Sequence, residues 1–328
     1  MTVSSFSELY DQLQALFQQQ AYLEAFDLAT QALPEFPEQR TLLDYWRMMM
    51  SARAGDEDQA LQILGQALER GQWYSEVLLR RSPSLRPLQG RSDFEALAAR
   101  NQEQAEQDQD EVYPLYTLRP EGRCQPGGDP CSLLLGLHAN MATAHTSMGF
   151  WRTAATAGWL VGAVQSSQAV WKNAYVWDDR EIAEQEVRRH YDTLIETYAV
   201  HPRRTVLAGH SMGGEIAIWM AIKGALPARG FLAIGPGGPW MDNLAEWENL
   251  LRERLAEGPA EARTRELRGY IITGEDDGSI PHENIDTLVS WLNRAGIRCG
   301  IETVAGVEHD YTPEYDPAIL RGLNFLME

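Results

Sequence analysis

Along the chain the spacing of apolar positions changes once. Up to about residue 100 they recur three or four apart, in segments rich in Ala, Leu, Gln and Glu, which predicts helix throughout. Within that stretch Ala25-Phe26-Asp27-Leu28-Ala29-Thr30-Gln31-Ala32-Leu33 can be laid over Ala60-Leu61-Gln62-Ile63-Leu64-Gly65-Gln66-Ala67-Leu68 at an offset of 35, and the same offset carries Tyr10 onto Tyr45. After the polar run NQEQAEQDQDE, short β-rich runs alternate with amphipathic ones. Strands are predicted over Val112–Leu118, Ser132–His138, Trp159–Val164, Thr205–Gly209, Gly230–Ile234, Tyr270–Thr273 and Cys299–Val304, with helices over Glu181–Tyr198 and His282–Ala295. Such alternation implies a mostly parallel sheet covered on both faces, which binds ligands at the carboxyl ends of its strands.

Small alanines recurring seven apart, with a hydrophobe between, let paired helices approach closely. In that spacing, and in Pro37 where a repeat often ends, the first hundred residues resemble tetratricopeptide repeats, although the early Trp and Gly of the consensus are missing. Two such units cannot bury their faces alone, so Trp73–Ala99, broken by RSPSLRP, is expected to supply capping helices. Asn101–Glu111 reads as a solvated helix end or a linker and places the boundary between a helical domain over 1–108 and an α/β domain over 109–328. The helical domain has three readings. It is a bundle packed on its neighbour, a groove for a peptide, partner protein or second copy, or a flank shaping access to a site.

The stretch AGHSMGG, Ala208–Gly214, lies between the strand TVL and the helix EIAIWMA and satisfies G-x-S-x-G. A chain that reverses within so few residues needs glycines around the serine, whose hydroxyl then projects from the sheet edge near a helix N-terminus. Ser211 is therefore the candidate nucleophile. A serine hydroxyl needs a base, and the base an acid to orient it, in the chain order Ser, acid, His. Of seven histidines only His282 and His309 follow the elbow. His282 opens a helix, where capping suffices; His309, in GVEHDYTP after the last strand, is the candidate base. YIITGEDDGSIP offers Asp277 as the acid, with Asp276 the alternate and Asp242 further off. The oxyanion would be met by the amide of Met212 and by that of Asn140, or Met141, in the loop after LLLGLH. Trp240 and Trp177 are candidate walls of the substrate cleft, Trp177 sharing its loop with Trp171 and Tyr175. About 35 residues between Ile234 and Tyr270 leave no room for a large lid.

LLLGLHAN, AGHSMGG, ITGEDDGSIP and VEHDY, in that order, resemble the α/β-hydrolase superfamily over about residues 112–328, and more narrowly its carboxylesterase and dienelactone-hydrolase-like branch. The resemblance implies the α/β-hydrolase fold and acyl transfer to water with no cofactor and no metal. It implies a serine carboxylesterase acting on a small-molecule ester, small or aryl. It also implies a structural role for His138, which precedes Ala139 where that branch commonly has glycine. The same triad would serve a serine peptidase, an acyl-amino-acid hydrolase or a thioesterase. From another class, the chain would be a repeat-based interaction protein with a degenerate hydrolase domain.

Composition narrows the partners. A formal charge of −19 on 328 residues, with pI near 4.8, argues against nucleic acid and an anionic membrane surface. No run approaches the roughly 18 apolar residues of a membrane span. Cys124 and Cys131 flank QPGGDP and would bridge only in an oxidising compartment. MTVSSFSELYDQ has neither a basic nor an apolar leader region, so the expectation is a soluble cytoplasmic protein with free thiols.

Overall fold

The computed structural model describes residues 5–108, 114–256 and 267–328. The chain divides into two compact units. One comprises Met1–Glu111 with Ala169–Lys172, the other Val112–Gln168 with Asn173–Glu328.

The first unit is built on α1 (Phe6–Gln18), α2 (Tyr22–Ala32), α3 (Arg40–Ala54), α4 (Glu57–Glu69) and α5 (Ser92–Asp108). Ser5 and Asp56 start α1 and α4 by accepting the amides of Glu8 and Gln59, at 3.2 and 3.0 Å. Gly55, at φ 85°, ends α3 in the left-handed conformation. The 35-residue offset lays α1 over α3 and α2 over α4, and the paired alanines Ala25, Ala60 and Ala67 are buried. Two of the expected capping segments are not α-helix, a π turn, wider than α, at Val77–Arg81 and a tighter 3-10 turn at Pro83–Leu88. Pro87 lacks the N–H an α-helix would need there. Asn101, where a linker was one reading, is a buried residue of α5 whose amide accepts the Tyr74 N–H (2.8 Å) and donates to the Tyr74 carbonyl (2.7 Å). The rest of the polar run beyond Asp108, and the start of the strand expected from Val112, lie outside the described residues. Trp171 belongs to this unit, 6.4 Å ring to ring from Tyr74.

The strands of the chain are β1 (Leu115–Leu118), β2 (Cys131–Leu137), β3 (Leu160–Val164), the short β4 (Ala169–Trp171) of the first unit, β5 (Ala174–Tyr175), β6 (Val200–His210), β7 (Gly230–Ile234), β8 (Arg268–Gly274) and β9 (Arg298–Val304). Seven of them form one sheet in the order β1-β3-β2-β6-β7-β8-β9. Only β1 runs antiparallel to its neighbour. Leu133–Leu135, Val206–Ala208, Phe231–Ile234 and Ile271–Ile272 are wholly buried, the uninterrupted apolar signature of strands covered on both faces. The helices of this unit are the short α6 (Ala144–Ser147) and α7 (Arg152–Thr156), then α8 (Arg180–Thr197), α9 (Met212–Lys223), α10 (Leu244–Ala256), His282–Arg294 and Asp316–Met327. In α9 every residue from Met212 to Ile222 is buried, so it is the central helix of its layer.

Cys124 and Cys131 form a disulfide, with Cα atoms 5.4 Å apart, which corrects the expectation of free thiols; Cys299 is free and buried. Among the described residues no helix is long and apolar enough to cross a membrane.

Candidate active site

Parallel register brings the carboxyl ends of the central strands to one edge, Leu137 beside Gly209 and His210 beside Ile234. Ser211 stands there, between β6 and α9, at φ 54° and ψ −123°. Side chains rarely adopt that backbone, and it costs on the order of 1–3 kcal/mol. Its neighbours hold it in place. The Ser211 N–H donates to Ile234 O (3.0 Å), and its carbonyl accepts the amides of Glu215 (3.1 Å) and Gly237 (3.3 Å). The flanking glycines are sterically required. A Cβ on Gly209 would lie 2.2 Å from the Gly213 backbone, and one on Gly213 would lie 2.4 Å from the His138 carbonyl oxygen. At the N-cap of α9 the serine side chain makes no capping bond, so Oγ is left for another partner.

That partner is His309, whose Nε2 lies 2.9 Å from Ser211 Oγ. Its Nδ1 is 2.8 Å from Oδ2 of Asp277, a residue 1% exposed. A carboxylate only accepts, so Nδ1 carries the hydrogen and Nε2 offers its lone pair to the hydroxyl. Asp277 Oδ1 accepts the Ser279 amide at 3.0 Å, which fixes the carboxylate plane. Asp276 and Asp242, the alternates from the sequence, are both exposed. Asp277 is the one whose carboxylate meets the ring.

The loop carrying His309 is pinned through three consecutive carbonyls. Val307 O accepts the Asp276 N–H (3.0 Å), Glu308 O the Tyr315 hydroxyl (3.2 Å) and His309 O the His210 Nε2–H (2.7 Å). Gly274 is required beneath it, because a Cβ there would sit 2.2 Å from Val307 O. His210 thus has a role its position beside the serine did not reveal. Burial first, and then the nearby His309 ring, push its imidazole down to about 4, so it is neutral at pH 7. His282, expected only to cap its helix, donates Nε2–H to Asp277 O at 2.7 Å. The His210 contact joins positions 99 apart in sequence and the His282 contact positions five apart, and no motif signals either.

The loop after β2 emerges beside the elbow. His138 is fully buried and stacks on Trp177 at 4.7 Å. Its Nδ1–H donates to Ala139 O (2.8 Å), while Nε2 accepts the Ser166 amide (3.3 Å). Burial pushes its imidazole down to about 4. Ala139 lies outside the left-handed region, so glycine is not required there; Met141, two residues on, has φ 56°. Asn140 is exposed in this loop and Met212 is buried at the start of α9. Trp177 is 1% exposed, donates Nε1–H to His138 O (2.9 Å) and its backbone N–H to Met212 Sδ (3.3 Å). An indole so enclosed presents no face to a substrate, which corrects its expected place in the cleft wall; it clamps the His138 loop to the elbow instead.

Trp240 lies under the Arg180 guanidinium and meets Trp219 and Trp247 edge-on at 6.5 and 6.2 Å. Its backbone N–H and that of Met241 donate to Glu215 Oε2 (3.0 and 2.9 Å), while Oε1 accepts from Arg180 at 3.1 Å. Glu215 stands in the first turn of α9, and burial raises its carboxyl above the usual range. The ring contacts of Trp240 are those of an ion-pair and aromatic cluster behind the elbow. Among the described residues no three His, Cys, Asp or Glu side chains converge to hold a metal.

Residues 5–109 match the family model described as "A/B hydrolase-like, N-terminal domain". No curated protein matches the sequence. A solved structure of an uncharacterized protein from Bacillus cereus ATCC 10987 is similar over 98% of this chain and 99% of its own, at 20% identity and TM-score 0.52. Acyl-protein thioesterase 2 from Zea mays is similar over 66% of this chain and 100% of its own, at 14% identity and TM-score 0.52. The chain is a helical N-terminal domain followed by a domain with the α/β-hydrolase fold.

Proposed function

We propose that the chain is a serine hydrolase of carboxylic esters, and the observation that carries this is the hydrogen-bonded relay Ser211–His309–Asp277 at 2.9 and 2.8 Å. In this reading Ser211 Oγ attacks the ester carbonyl as its proton passes to His309 Nε2. The tetrahedral oxyanion is met by the amides of Met212 and Asn140, with the N-terminus of α9 adding its partial positive charge. Asp277 holds the ring and stabilises the imidazolium. The imidazolium then protonates the departing alkoxide, leaving an acyl-serine. Water, deprotonated by the same Nε2, attacks the acyl-serine and restores the hydroxyl.

The test is fluorophosphonate labelling of the full chain, followed by a panel of small aliphatic esters, aryl esters, thioesters and peptide amides. The expected result is labelling and ester hydrolysis that both vanish in Ser211→Ala. A thioester is attacked by the same relay, and thioester turnover well above that of matched esters would move the reading to thioesterase. A folded protein that takes no label would move it to an interaction protein.

A further inference from the structure

The excursion over residues 138–159, between β2 and β3, begins with the turn that carries Asn140. Across that turn the Ala142 N–H donates to Ala139 O (3.3 Å), and Ala142 O accepts the Tyr175 N–H (3.3 Å). From Thr143 onward the excursion is one run of helical turns. Thr143 Oγ1 accepts the Thr146 amide at 3.2 Å to start α6, and a 3-10 turn over Met148–Trp151 leads straight into α7. A continuous run of turns moves as a unit, so whatever holds its middle also sets the tilt at its start.

In that run the Phe150 carbonyl accepts the Tyr311 hydroxyl at 2.8 Å, across 161 positions of sequence. Tyr311 follows His309 by two residues, in the same loop. The Phe150 and Tyr311 rings stack at 4.1 Å, 12° from parallel, and Phe150 also meets the His210 ring edge-on at 5.7 Å. His210 in turn holds the His309 carbonyl and lies 5.1 Å from the His309 ring. The Tyr311 hydroxyl also reaches Asp316 Oδ1 at 2.8 Å, in the first turn of the helix Asp316–Met327. Its one hydrogen is shared between a carbonyl and a carboxylate, both of which only accept. Burial first, and then Asp316, push the phenol above its usual range, so that hydrogen is retained.

The excursion leaves β2 and the base loop leaves β9, with β6, β7 and β8 between them in the sheet, so sheet register alone leaves the distance between their tips unset. We propose that Tyr311 is a positioning residue that sets it: hydroxyl and ring brace the His309 loop against the excursion carrying Asn140. Base and oxyanion donor are thereby held in one geometry about Ser211. The inference rests on the serine-hydrolase reading. Misplacing a reacting group by about 1 Å costs on the order of 10²-fold in rate. Deleting the hydroxyl leaves the ring stack in place, so a loss of about 10- to 100-fold is expected.

The experiment is time-resolved fluorophosphonate labelling of the full chain and of Tyr311→Phe, reading stoichiometry and rate constant separately. Steady-state hydrolysis of an aryl ester accompanies it, well below both thermal midpoints. The variant is expected to label to the parent's stoichiometry with a rate constant about 10- to 100-fold lower, and kcat should fall by a similar factor with KM within about threefold. A residue that serves stability alone would instead lower the labelled fraction at the parent's rate constant. That result, a variant that matches the parent, or a change confined to KM would each overturn the inference. Phe150→Leu keeps the carbonyl and removes the stack; it is the second variant if Tyr311→Phe fails to fold. It should slow labelling several-fold, and a folded Phe150→Leu at the parent's rate constant would overturn the inference as well. A parent that takes no label removes the hydrolase reading and this inference with it, whereas a labelled parent with an unaffected variant removes the inference alone.

Discussion

Replacing Asp277 by asparagine exchanges one carboxylate oxygen for an NH2 at nearly constant volume. The Ser279 amide, 3.0 Å from Oδ1, still needs an acceptor, so the asparagine oxygen stays on that side and its NH2 faces His309 Nδ1. Two N–H groups cannot share that bond. The ring must move its hydrogen to Nε2, where it points at Ser211 Oγ and can no longer take the hydroxyl proton. The variant also loses the charge opposite the imidazolium. At about 4 Å and an effective dielectric near 20 that interaction is worth about 4 kcal/mol, roughly a thousandfold in rate. With the wrong tautomer added, the expected loss in kcat is about 10⁴-fold, against less than about twofold for the exposed neighbour in Asp276→Asn. The assay is steady-state hydrolysis of an aryl ester, with circular dichroism to establish folding. A folded Asp277→Asn variant within about tenfold of the parent would refute the reasoning.

His210→Asn removes the bond that holds His309 O and should lower kcat by about 10 to 100-fold with little change in KM; loss in KM alone would argue against a positioning role. Burial lowers His138, His190 and His210 from 6.5 to about 4, so below pH 6.5 the unfolded chain binds more protons than the folded one. Stability is therefore expected to fall as pH drops from 6.5 towards 4, by about 3 kcal/mol for each fully buried ring, and urea midpoints at pH 7, 6 and 5 would show it. Glu215 and Glu186, raised by burial, contribute with the opposite sign and offset part of this loss, so the test is repeated with Glu186→Gln and Glu215→Gln; a profile still flat from pH 6.5 to 5.5 in those folded variants would count against neutral buried histidines. Reducing the Cys124–Cys131 disulfide, seven residues apart, releases a short loop and should cost about 2 kcal/mol, read as a lower thermal midpoint in dithiothreitol.

How much of this was legible in the sequence depended on how local each signal was. The elbow is local: two glycines, a serine, and a change of period from strand to helix fall within Thr205–Ile218. The order of the acid and base loops along the chain directed attention to Asp277 and His309. Choosing Asp277 over Asp276 needed the turn itself, since adjacent residues leave a turn in different directions. The polar residues VHPRR concealed the first half of β6, which starts at Val200 rather than Thr205, because that half carries no apolar alternation. Trp177 looked like a cleft wall because its loop leaves a strand end, yet its burial is decided by His138, 39 residues away. The disulfide was discounted on compartment, although QPGGDP is the kind of turn that brings two cysteines together.

The left-handed backbone at Ser211 has a consequence for how the chain would drift. Glycine would occupy φ 54° more cheaply than any residue with a side chain, so thermodynamic economy alone would erase the hydroxyl. A copy relieved of chemical duty would gain stability from that replacement. At this position folding favours glycine while the proposed nucleophile requires serine, so the two demands meet at a single atom.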